Sequence, residues 1–154
     1  MEKLREKSCS EFMIKFRDSF FEGNINQYTK TSYISVFDGW LSRADYDSKI
    51  KNASREFINK YNNLRYQIFY TLFKDCAYLN VEDKQYYDIT SEDDFYLYFL
   101  PRLNELDDFL IVSKTSSFAI QSGYDFTDSL YYTDVESKKY VNSIIAKFGM
   151  FVFD

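Results

Sequence analysis

Phe12, Phe16 and Phe20 recur every fourth residue beside Met13, and Gly23 follows as a stop, so the spacing predicts a helix over 9–22 with an aromatic inner face. Ser8-Cys9-Ser10-Glu11 stands ahead of it with the spacing of a capping box, in which Ser8 takes the amide three residues on. Tyr33, Phe37, Trp40 and Leu41 also suit a helix face, against the grain of Gly39, and residues 31–41 read as helix. From Asp45 onward Ile50, Ala53, Phe57, Tyr61, Leu64, Ile68, Leu72, Cys76 and Leu79 keep steps of three or four. This is one long helix or two broken near Asn62-Asn63, and the usual length of globular helices favours the break. The same stripe turns Cys76 inward as a small buried hydrophobe.

Beyond residue 80 the pattern changes. Thr90-Ser91-Glu92-Asp93 has the form of a helix cap followed by a first acidic turn, and Pro101 is expected to end that helix; the alternation of Tyr96, Tyr98 and Leu100 leaves a strand open. Phe109-Leu110-Ile111-Val112 and Phe118-Ala119-Ile120 are short runs of β-formers joined by Ser, Thr and Lys, which predicts a hairpin. A third strand fits 129–133. Asp134 then caps a helix carrying Val135, Tyr140, Val141, Ile144, Ile145 and Phe148, with Gly149 at its end and a last strand over 150–153. The sum is a single α+β domain over 1–154, with a mostly helical N-terminal half packed on a small antiparallel sheet and a C-terminal helix.

Composition agrees with a packed domain. The chain has 154 residues, 45% of them hydrophobic, with one proline, and no repeat or low-complexity tract. Phe, Tyr and Trp make up 21% of it, so many rings must be core. Two unpatterned cysteines form no disulfide framework, the charged N-terminus lacks a signal-peptide core, and no stretch approaches the ~18 apolar residues of a membrane span. The expectation is a cytoplasmic chain without membrane contact.

The charge is divided unevenly. Residues 1–76 carry 13 Lys/Arg against 10 Asp/Glu, and residues 77–154 carry 6 against 14. A local acidic excess speaks to association with a basic partner and disfavours phosphate, so nucleic-acid binding is not expected. Candidate chemistry is thin. The sequence has no histidine, which removes His-based nucleophile pairs and metal sites, and no Gly-rich phosphate cradle or zinc spacing; neither a cofactor nor a metal is expected. Carboxylate catalysis needs no histidine, so an enzyme built on acid pairs stays open. The candidate partner-binding residues are the acid clusters and the tyrosines beside them: Glu82, Asp83, Tyr86, Tyr87, Asp88, Glu92, Asp93, Asp94, Tyr96, Glu105, Asp107, Asp108, Tyr131 and Tyr132. Tyrosine suits a desolvated contact and carboxylates steer a basic partner, while the same tyrosines could equally lean on the sheet.

These acid clusters, together with the paired strands at 109–112 and 118–120 and the capped helix from Asp134, resemble the immunity proteins of bacterial toxin systems, including contact-dependent growth inhibition. The resemblance covers roughly the last fifty residues. It implies a cognate protein toxin, commonly a basic nuclease, occluded at its active site or at a nearby exosite by the acidic surface. The mixed-charge first half departs from a uniformly acidic inhibitor. A phage-type decoy of a nucleic-acid-binding effector would use the same clusters, and the sequence does not give the oligomeric state.

Overall fold

The computed structural model of the chain describes residues 1–104, 108–123 and 126–154. Its elements run β1 (Glu2–Lys3), α1 (Glu11–Glu22), α2 (Ile25–Tyr28), β2 (Lys30–Ser35), α3 (Arg43–Tyr46), α4 (Arg55–Leu72), β3 (Cys76–Asn80), β4 (Gln85–Asp88), α5 (Glu92–Asn104), β5 (Leu110–Ser113), β6 (Phe118–Gln121), β7 (Thr127–Tyr132), α6 (Val135–Lys147) and β8 (Phe151–Phe153). The fold is α+β. Its sheet is larger than the sequence suggested: eight strands in the order β1-β4-β3-β5-β6-β7-β2-β8, with every neighbouring pair antiparallel.

Both faces of the sheet are covered, because its strands are apolar on both sides. Ile111, Phe118, Ile120 and Leu130 join Ile68, Phe69 and Leu72 of α4, Phe95 and Phe99 of α5, and Val141 and Ile145 of α6 in one core. Leu110, Val112, Ala119 and Tyr131 join Phe12, Met13 and Phe16 of α1 in a second core on the other face. No helix among the described residues is long and apolar enough to cross a membrane.

The predicted hairpin, the strand after it, the capped helix and the final strand are β5, β6, β7, α6 and β8. α1 forms where expected, but its cap is Ser10, whose Oγ accepts from the Met13 amide at 3.2 Å; Ser8 lies in a separate single turn over Glu6–Ser8. Gly23 closes α1 at φ 78°, a conformation that favours glycine, and the Asn24 amide bonds back to the Ser19 carbonyl at 3.0 Å.

Other expectations are overturned. The helix read over 31–41 is strand β2 followed by an irregular segment, because Thr31, Tyr33 and Ile34 are well suited to a strand that both β7 and β8 pair. Trp40 in that segment is 65% exposed and packs edge-on against Tyr33 and Phe153 rather than lying inward. The long apolar stripe is interrupted elsewhere than at Asn62-Asn63, which lie inside continuous α4. The breaks fall before Ser54, whose Oγ caps the helix, and at the turn Phe73–Asp75. Cys76 is buried as expected, but on β3. There a three-residue step changes sides, so Cys76 and Leu79 belong to opposite cores. Finally, α5 does not stop before Pro101 but carries it inside the helix.

At α6, the Asp134 carboxylate accepts from the Ser137 amide at 2.7 Å, and that bond holds its pKa below the ordinary aspartate value. The stabilisation is therefore complete above the ordinary value and lost as pH falls through the lower folded one. Asp134→Ala is expected to cost about 1 kcal/mol at neutral pH. Asp134→Asn keeps the cap and removes its acid sensitivity; urea unfolding of the three proteins across the acid range checks both.

Candidate functional site: the outer face of α5

α5 packs on α4 through Phe95 and Phe99, which are fully buried against Tyr66, Tyr70 and Phe69, and it reaches the β3–β4 hairpin through Tyr98, whose ring sits 4.2 Å from that of Tyr78. The Ser91 hydroxyl accepts from the Asp94 amide at 3.1 Å, and Glu92, Asp93 and Asp94 fill the first turn, where acids complement the helix dipole. Because helical neighbours recur at three and four residues, packing Phe95 and Phe99 inward turns Asp93, Leu97 and Leu100 outward on one stripe. Tyr96, Leu97 and Leu100 are 46%, 75% and 49% exposed. α5 is thus apolar on both sides. Pro101, on the same outer side, has no amide to return to the Leu97 carbonyl.

Tyrosines of α4 border this face. Tyr66 lies 5.7 Å from Tyr96 and 6.1 Å from Tyr70, ring centre to ring centre, and the Tyr70 hydroxyl donates to Glu92. That bond to a carboxylate raises the Tyr70 pKa above its ordinary value. Asp94 pairs with the amino group of Met1 at 3.4 Å, whereas Asp93 is exposed with no ion-pair partner among the described residues. Towards the other end of α5, Tyr98 and Arg102 share a cleft of about 370 Å³ with Val81, Glu82 and Asp108. Among the described residues Arg102 forms no ion pair with Glu82 or Asp108. Its guanidinium folds back over the Tyr98 ring at 4.1 Å and donates to the Tyr98 carbonyl at 2.8 Å.

The structure divides the predicted residues. Glu82, Asp83, Glu92, Asp93, Asp94, Tyr96 and Asp108 lie around α5 and the β3–β4 turn. Tyr87 is half-buried, stacked on Tyr78 at 5.2 Å with its hydroxyl on Asp83, and Asp88 is committed to Lys114 at 2.8 Å. Three tyrosines are not surface. Tyr86 is 1% exposed, inward on β4 with its hydroxyl donating to the Met13 carbonyl at 2.7 Å. Tyr131 and Tyr132 are adjacent on β7, so they point into opposite cores, far along the sheet from α5. Glu105 and Asp107 lie outside the described residues. Leu97, Leu100 and Tyr70, exposed on or beside this face, are not among the predicted residues, although the period of Phe95 and Phe99, read as a helix, sets Leu97 outward.

No group of His, Cys, Asp or Glu among the described residues is arranged to hold a metal ion. Burial raises the pKa of the Asp128 carboxyl, but both its oxygens accept from Arg65, at 3.1 and 2.9 Å, and it lies 1% exposed in the core. It is a structural carboxylate. Comparison with known proteins finds no matching family model, no similar curated protein and no similar solved structure.

Proposed function

We propose that this chain is a binding protein that neutralises a cognate basic protein, of the nuclease-toxin kind, by stoichiometric occlusion through the acidic, apolar surface centred on α5. The observation that carries this reading is the outward exposure of Leu97, Leu100 and Tyr96 directly beside Glu92 and Asp93. An apolar centre supplies binding energy once desolvated, and the carboxylates around it steer a cationic partner and fix its orientation. Lys or Arg side chains that would otherwise hold phosphate are the natural counterpart of these acids.

The test begins with capture of partners on the tagged full chain, followed by association kinetics of the purified pair. One basic protein should be recovered at equal stoichiometry, with an association rate that falls about tenfold or more as screening shortens towards ~8 Å. Asp93→Lys should slow association more than Lys49→Glu with Lys51→Glu, since both lysines lie outside α5. A rate insensitive to salt, or the opposite ranking, would place the interface elsewhere; recovery of a nucleic-acid-binding host effector would replace the toxin with that effector.

A further inference from the structure

The partner element that fits this surface follows from what α5 leaves unsatisfied, and the argument rests on the reading just proposed. α5 is not a sheet edge. Its main-chain groups are bonded within the helix, apart from those at its ends and the Leu97 carbonyl opposite Pro101, so it offers no ladder to an extended peptide. What it offers is a stripe of side chains, Asp93, Leu97 and Leu100, at the i, i+4, i+7 spacing, widened by Tyr96. Such a stripe is covered by side chains presented at the same spacing, which is the property of another helix packing ridge into groove. Charge sets the second condition. The stripe is anionic at the end where Glu92 and Asp93 stand, and Arg102 at the far end is turned inward over Tyr98.

We infer that the outer face of α5 takes an amphipathic helix of the partner, with apolar residues at i and i+3 or i+4 covering Leu97 and Leu100 and a Lys or Arg about one turn away meeting Asp93. The partner cation on Asp93 supplies the polar rim of a contact whose centre is apolar.

The full chain, isotope-labelled, is titrated with three synthetic peptides of matched length. One is a helix-former with a leucine seam and lysines one turn beyond it; the second has glutamates for those lysines; the third has the first composition with a central proline. The first should shift the amides of Asp93, Leu97 and Leu100 saturably, and the other two should bind at least about tenfold more weakly. Equal binding of the proline peptide at α5 overturns the helix and leaves a basic, apolar partner standing. Equal binding of the glutamate peptide overturns the basic counterpart, here and in the proposed function, because charge then plays no part. Absence of any shift on α5 overturns the helix, and the capture and kinetic experiment then decides the broader reading separately.

Discussion

Arg65→Ala is expected to lose about 3–5 kcal/mol of folding stability, because it leaves the Asp128 carboxylate buried without its cation. Arg65 occupies the inner face of α4 between Tyr61 and Phe69, where period and packing would otherwise place a hydrophobe. Its side chain is 9% exposed and that of Asp128 1%. The charge is tolerated there because it is paired with an opposite charge through two hydrogen bonds. Arg65 Nε and Nη2 reach the two carboxylate oxygens, the Gly123 amide donates to Asp128 Oδ1 at 3.2 Å, and the rings of Tyr61 and Phe109 lie 5.1 and 5.2 Å from the guanidinium carbon. Cation–π contacts in such a dry setting are worth up to about 2 kcal/mol. Gly123 belongs to the same arrangement, since a Cβ there would sit 2.2 Å from the Thr127 carbonyl oxygen.

The pair should behave as a unit. Arg65→Met combined with Asp128→Asn removes both charges, keeps the bulk of the α4 side chain and preserves an acceptor for Gly123, so it should recover more than half of the loss. Midpoints of urea unfolding at a common slope, taken for Arg65→Met, Asp128→Asn and the double variant beside Arg65→Ala, measure the cycle. Additive costs for the two single changes would mean that the pair contributes no coupling across α4 and β7.

What the sequence made legible was local. The hairpin of β5 and β6, the cap at Asp134 and the helix behind it are each specified within about ten residues by turn chemistry and period, and they form as read. Of the missed strands, β2 depends on distant partners, β7 and β8, and β3 pairs the distant β5 on one side and its own hairpin neighbour β4 on the other. Over Cys76–Leu79 the apolar spacing fits a helix as well as it fits a strand buried on both faces, and only the two covered faces of the sheet decide between them. The candidate site shows the same division. Acid clusters are visible as runs in the sequence, and those of 82–83 and 92–94 lie around α5 and the β3–β4 turn. Whether a tyrosine is core or surface depends on strand direction, and Tyr86, Tyr131 and Tyr132 fell inward on β4 and β7. Leu97 and Leu100 were obscured because a helix apolar all round hides which of its faces is open.

The two faces of α5 should therefore respond oppositely to substitution. Phe99 is fully buried, stacked on Phe69 at 5.5 Å and edge-on to Phe109 at 5.4 Å, and Phe99→Ala should destabilise the fold by about 3–5 kcal/mol. Leu97→Gln with Leu100→Gln removes apolar surface that the free protein already exposes, keeps good helix formers and leaves the net charge unchanged, so stability should shift by no more than about 0.5 kcal/mol. Its effect belongs to binding. Loss of a desolvated apolar centre is expected to weaken the partner complex by about 2 kcal/mol or more, roughly thirtyfold, mainly by faster dissociation, whereas Asp93→Lys acts mainly on association. Kinetics of the two variants separate these contributions. A Leu97→Gln/Leu100→Gln protein that folds normally and releases its partner no faster would exclude α5 as the centre of the interface, and the acids beside it would then be explained by the helix dipole and by their bonds to Tyr70 and the Met1 amino group.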